Sequence, residues 1–313
     1  MRFRVDPWDP AYGVANEALG LDATSAEVDP DVEIPAARWE AVAPRPASAD
    51  SVASVLFVDG VRRVEARVWI DDGAGSAAPG ICASYAAGAV RCDHAARLGP
   101  VLVERGLFTS FGAAEPVVTA TGDFPVRLSA SDSPEGLALA LQERMGHAEL
   151  RAAESACEEG AADLVVVDGP LRGRQHLANA VGYVKTHHVA YLPPELHAIV
   201  GGLAPGQRSP LFVLGGGFSR LSWYLRLPGP AGVPWAGVVR CECTADLPVA
   251  AASRLADQVV AVLPRFASEP HKEPRAPQNL YPVAGLEREL RRRMGDPHLL
   301  YRALRRSAAR AGA

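Results

Sequence analysis

LVVVDGPLRGR, residues 164–174, carries the reading of this chain. Three valines run into Asp168 and Gly169, and Arg172 and Arg174 follow within six residues. A β-branched run of this length is a buried strand, and an Asp-Gly pair after it is a turn signal. A near-copy lies upstream: VLFVDGVRR, residues 55–63, has an apolar run, then Asp59-Gly60, then Arg62 and Arg63. One such phrase reads as a strand and a turn. Two of them raise the prospect of two carboxylates meeting at neighbouring strand ends, with cations beside them.

Bulk properties narrow the setting. A chain of 313 residues is long enough for a substantial core, in one large domain or two. Its 48% hydrophobic and 22% charged content is that of a soluble globular protein, and no stretch reaches the length a membrane helix requires. MRFRVDPWDP, the first ten residues, holds no apolar signal core, so a cytoplasmic location is expected. Five scattered cysteines argue against a disulfide scaffold, and Cys241-x-Cys243 lacks the second pair a zinc site requires. The net charge of −4 speaks against a nucleic-acid partner only if charge is evenly spread. Residues 288–313 instead carry eight arginines against Glu289 and Asp296, as a phosphate-facing surface would, although only two lysines occur in the chain and its arginine excess also fits codon bias.

Along the chain, APRPASAD (43–50) separates an irregular arm, residues 1–50, from a domain over 51–313. Residues 54–58 and 64–70 are predicted as a strand pair joined through Asp59-Gly60, DDGAGSAAPG (71–80) as a flexible turn, and GICASYAAGAV as a third strand. Ser133-Pro134-Glu135 starts a long helix, serine as N-cap and proline at N1, running to Gly160. Strands at 163–168, 181–185 and 210–214 alternate with a helix near 194–202. A late hairpin of SRLSWYLRL and WAGVVRCEC follows, then helices near 249–263, 283–294 and 297–309. Meander, long helix, then strand and helix alternation predicts an α/β fold with a mixed sheet flanked by helices. The order resembles ribonuclease H-like folds, in which the first strand, the first helix and a later parallel strand each offer a carboxylate to bound metal ions.

The long helix can be tested for such a carboxylate. At 100° per residue from Leu137, Leu141, Met145, Ala148 and Ala152 fall within about 80° and centre near 40°. Glu149 falls at about 120°, on the shoulder of that stripe, whereas Glu143, His147 and Glu154 fall on the opposite side. A carboxylate beside an apolar stripe either finds a cation or borders the core and reaches water. Asp59, Glu149 and Asp168 are therefore the candidate ligands of Mn²⁺ or Mg²⁺, and Arg62, Arg63, Arg172 and Arg174 the candidate contacts to a nucleic-acid backbone. A two-metal site activates a water for in-line attack and stabilises the departing oxygen without a protein nucleophile.

These stretches, roughly residues 50–309, resemble the NurA nuclease family. FVDGVRR (57–63) is similar to its first motif and DLVVVDGPL (163–171) to its second, with Glu149 at the spacing of the helix glutamate. GYVKTHH, with Lys185, resembles the strand and lysine that follow; WYLRL, with Arg226, and VVRCEC resemble the late hairpin. The resemblance implies a ribonuclease H-like fold and manganese-dependent 5′–3′ exonuclease and endonuclease activity on DNA. It also implies a homodimer and a HerA-type hexameric ATPase partner, in end resection or repair, with phage defence as a variant. Asp59, Glu149, Asp168 and Lys185 would be the catalytic set, and Arg226 a further DNA contact. RAPQNLYPVAGLERELRRRMGD (275–296) departs from the pattern: Tyr281 stands in for a tyrosine, but Leu286 and Glu287 sit where members often carry a histidine.

Competing readings are weaker. GGGF (215–218) lacks the Lys-Ser/Thr of a phosphate loop and reads as a tight turn. His187 and His188, with His176 or His197, read as capping or surface groups, and Cys92-Asp93-His94 are sequence neighbours with no catalytic geometry implied. An actin-like phosphotransferase needs a small hydroxyl-rich turn after its first aspartate, where this chain has Val61-Arg62-Arg63. A non-catalytic adaptor on an ATPase ring would not need three carboxylates. Trp223, Tyr224 and Trp235 around one turn are expected to anchor a dimer or to pack in the core.

Overall fold

The computed structural model describes residues 26–43, 45, 52–71, 77–187, 189–229 and 235–311. The first 25 residues, residues 72–76 of the expected 71–80 turn, His188 and the tip of the late hairpin lie outside them. Ten strands among the described residues form a mixed sheet flanked by helices, the ribonuclease H-like class expected. The chain divides into two compact units, the first holding residues 1–57, 91–97 and 161–284, the second residues 58–90, 98–160 and 285–313.

The first unit is built on β6 (Leu164–Asp168) and β7 (Ala180–Val184), which pair in parallel with Asp168 opposite Tyr183. β10 (Val238–Thr244) runs antiparallel to β7, and β9 (Arg220–Arg226) antiparallel to β10, so the predicted hairpin is present. β8 (Phe212–Leu214) and β1 (Val28–Asp29) extend this sheet beyond β9. α2 (Pro194–Gly201) contributes Leu196 and Val200 to a core with Trp39, Phe212, Tyr224 and Val238. The described part of the N-terminal arm is thus packed into the unit through Trp39 and β1. Trp223 and Tyr224 are fully enclosed, and Tyr224 lies against Phe212, His187 and Trp235. Trp223 and Tyr224 therefore fill the core, and Trp235, partly buried, packs against it. α3 (Val249–Val262) covers the unit with Val259 and Val260 buried.

Arg208 ties the arm to this unit. Only 1% exposed, its guanidinium donates to both oxygens of Glu33 at 2.8 Å each and to Asp257 Oδ1 at 3.0 Å. Ser253 Oγ also donates to Glu33, at 2.5 Å.

In the second unit the strand order is β2 (Val55–Asp71), β3 (Ala77–Cys92), β4 (Ala96–Thr109) and β5 (Val126–Leu128), with β4 and β5 parallel. β2 corrects the sequence reading: residues 55–71 are one continuous strand through Asp59-Gly60, not a strand pair with a turn. Val58, Val61 and Val64 favour extension, and Gly60 serves a different purpose, given below. α1 (Pro134–Glu158) begins as expected, with Ser133 Oγ accepting from Gly136 N at 3.0 Å. Its Leu137, Leu141, Met145, Ala148 and Ala152 pack on Ile81, Ala83, Tyr85 and Ala87 of β3, the stripe that the helical phase selects. Cys82, on the opposite face of β3, meets Leu300 and Leu304 of α5 (Pro297–Ala311), which follows α4 (Tyr281–Arg293). No helix among the described residues is long and apolar enough to cross a membrane.

Arg208 generates a pH-dependent expectation. Burial raises the Glu33 carboxyl pKa, but its bonds to Arg208 and Ser253 outweigh this and hold it below the ordinary value. A carboxyl depressed in the folded state stabilises the fold above its unfolded pKa, and that contribution is lost as pH falls through the folded value. Arg208→Ala should cost about 3–5 kcal/mol at neutral pH, by leaving buried carboxylates without their cation. In urea titrations the loss should shrink below about pH 4; an equal loss at both pH values would remove Glu33 as the coupled partner.

Candidate functional site

Asp168 ends β6 in the first unit. Gly169, at φ +98°, turns the chain there in a conformation that side chains disfavour, and its N–H donates to Tyr183 O at 2.8 Å. The following loop folds back over Gly182, where an added Cβ would lie 2.6 Å from Leu171 N. Leu171 N donates to Glu242 Oε1 at 2.8 Å, and fully buried Glu242 is itself held by Arg240 and by Arg220 at 3.1 Å. This anchors the backbone that presents Asp168.

The Asp168 side chain is 11% exposed, and its Oδ2 accepts from Lys185 Nζ at 2.5 Å. Lys185 also donates to Asn279 Oδ1 at 2.9 Å. Asp168 Oδ1 is enclosed and has no hydrogen-bond partner among the described residues, and the same holds for Asn279 Nδ2. Asn279 is fully buried, in a segment fixed by Tyr183 Oη donating to Gln278 O at 2.7 Å. Burial, with Cys241 and Asp168 nearby, drives the Tyr183 phenol well above its ordinary pKa, so it stays a neutral donor. The structure thus brings Asp168 and Lys185 together and adds Asn279, which no sequence pattern marked.

In the second unit Asp59 lies inside β2, 5% exposed, with Oδ1 accepting from Gly60 N at 2.7 Å. Glu149 is 4% exposed on α1, on the sheet side of the helix as its phase requires. A Cβ on Gly60 would lie 2.4 Å from Glu149 Oε1 and 2.9 Å from Met145 Cγ. Gly60 is therefore the opening through which the Glu149 carboxylate reaches β2, one residue from Asp59. Glu287, buried on α4, is a further carboxylate of this unit, at the position where the sequence departs from its resemblance. Burying carboxylates is costly unless donors or cations receive their oxygens.

The arginines separate by environment. Arg62 and Arg172 are exposed, Arg62 donating to Ala138 O at 3.3 Å. Arg63 is engaged with Glu65 and with Gly295 O at 2.9 Å. Arg174 is buried and braces its own loop through Pro170 O and Arg172 O, both at 3.3 Å. Arg226 is buried and donates to Ala236 O and Gly201 O at 2.8 Å each; burial pulls its pKa down. Of the five, Arg62 and Arg172 are the exposed ones. His187 and His197 are structural: His187 Nε2 meets Val238 O at 3.0 Å, and His197 packs on Trp235 with ring centres 4.4 Å apart. Cys241 and Cys243 are buried free thiols with pKa pushed up, by burial, to about 12 for Cys243.

The NurA domain profile matches residues 79–287, and the chain belongs to this nuclease-related family. Glu149, Asp168, Lys185 and Glu287 fall inside the matched span, whereas Asp59 precedes it. No curated protein matches the chain.

The Gly60 opening predicts how a minimal substitution acts. Gly60→Ala should displace Glu149 and cost about 1–3 kcal/mol through overpacking. Urea denaturation checks the stability loss, and unchanged stability would mean that the α1 carboxylate yields freely.

Proposed function

We propose that this member of the NurA domain family is a divalent-metal-dependent nuclease that cleaves DNA phosphodiesters. The observation that carries the reading is the Asp168 pair: one oxygen held by Lys185, the other enclosed with no donor among the described residues. A carboxylate oxygen in that state fits a hard divalent cation, Mn²⁺ or Mg²⁺, better than a soft metal. The ligands we assign, on the family resemblance, are Asp59, Glu149 and Asp168. Divalent ions bound there supply Lewis acidity for the attacking water and the departing oxygen.

The chain's own residues do the rest. Lys185, braced by Asn279, fixes the rotamer of Asp168 and offers a positive charge beside the phosphate being cut. Gly60 gives Glu149 its approach to β2. Arg62 and Arg172 receive backbone phosphates at the surface. The family resemblance extends the proposal to 5′–3′ exonuclease and endonuclease action by a homodimer working with a HerA-type hexameric ATPase, in DNA end processing or phage defence.

The test is cleavage of linear single- and double-stranded DNA with Mn²⁺, Mg²⁺ or EDTA. Asp168→Asn should fold as the parent does by circular dichroism, yet lose roughly a hundredfold or more of the cleavage, and Lys185→Met should lose about 10–100-fold. Arg172→Ala should instead weaken DNA binding on all sequences and flatten its salt slope by about one unit. Parent-rate cleavage by folded Asp168→Asn would overturn the assignment. A parent protein that cuts neither substrate with either ion would point to an adaptor.

A further inference from the structure

The second unit contains a cavity of about 550 Å³ between β4, the Asp123–Arg127 segment and α1. Arg105, Arg127, Arg144 and Arg151 line it, with Glu104 and Asp123 as the only acids. Glu104 is already committed. It pairs with Arg151 and accepts from Tyr85 Oη at 2.8 Å, and although burial pushes its carboxyl up, these partners hold it below the ordinary value. Of the other three arginines, Arg105 donates to Met294 O at 3.3 Å and Arg127 lies near Glu104 and Tyr85, which leaves the cavity with more guanidinium groups than carboxylates. Arg105 Nε and Arg127 Nε are buried and have no hydrogen-bond partner among the described residues, a costly condition for guanidinium N–H groups.

The backbone makes room for these two side chains. A Cβ at Gly106 would lie 2.9 Å from Arg127 Cγ, and one at Gly122, where φ is +142°, would lie 2.7 Å from an Arg105 guanidinium nitrogen. On α1 the cavity residues Arg144, His147 and Arg151 follow i, i+3, i+7 spacing and form one stripe. That stripe lies about 170° around the helix from Glu149. The cavity is consequently on the far side of α1 from the carboxylate that approaches β2, and its sign is opposite.

We infer that this cavity is a binding site for a phosphate-bearing ligand of nucleotide size, held by Arg105, Arg127 and Arg144. Guanidinium groups match phosphate oxygens in geometry and charge. The volume lies in the range of small-ligand pockets and exceeds what inorganic phosphate alone would fill. A free nucleotide and the terminal nucleotide of a strand share this chemistry.

Isothermal titration of the full chain in EDTA tests the site without divalent ions, using dAMP, deoxyadenosine and a short 5′-phosphorylated oligonucleotide. dAMP should bind at least about tenfold more tightly than deoxyadenosine, and exposed Arg144→Ala should weaken dAMP by about tenfold while leaving the thermal transition in place. Equal binding of dAMP and deoxyadenosine, or an Arg144→Ala protein with parent affinity for dAMP, would overturn the assignment. So would the absence of dAMP binding at millimolar concentration. Tighter binding of the oligonucleotide than of dAMP, lost in Arg144→Ala, supports the site with a strand end as the source; equal binding supports it with a free nucleotide.

Discussion

A single buried carboxylate, Glu242, sets the geometry of the first unit. It sits in the middle of β10 with no exposed surface and satisfies three groups at once: the Leu171 N–H, Arg220 and Arg240. Those groups belong to the loop after Asp168, to β9 and to β10 itself. A buried ion pair contributes little net stability compared with a well-packed apolar pair. Its value is positional, because an apolar residue at 242 could not hold the Leu171 amide, and the loop that follows Asp168 would lose its fixed point.

The two Asp-Gly phrases show how far local sequence reaches. Their letters are nearly the same, and their structures are not. Gly169 adopts positive φ and turns the chain, as the Asp-Gly signal predicts. Gly60 stays inside a strand of 17 residues, and what demands glycine there is a carboxylate arriving from α1, more than 80 residues later in the chain. Nothing within either phrase distinguishes a turn glycine from a contact glycine. The distinguishing atoms come from tertiary packing.

Periodicity was the more faithful guide. The phase of α1 identifies both its buried stripe and the inward position of Glu149, because a 25-residue helix repeats its signal many times. The order of strands and helices after residue 134 is legible for the same reason. β4 and β5 are less so: Gly99, Pro100 and Gly106 interrupt the alternation of the first, and the second has three residues. Arginine roles are the least legible. Arg226 and Arg174 resemble surface cations in sequence, yet their partners are backbone carbonyls, which every residue possesses and which leave no compositional trace. Asn279 escapes notice because its role depends on meeting Lys185 across 94 positions.

Lys185 has a consequence for the protein before any ligand arrives. An aspartate that is almost enclosed is costly to bury without a compensating charge. Here a flexible ammonium group already occupies one of its oxygens. The lysine is a resident counter-ion, tethered and always in supply, so the carboxylate carries its compensating charge within its own unit. Burial of this carboxylate thereby draws on a charge that the same stretch of chain delivers, 17 residues further on.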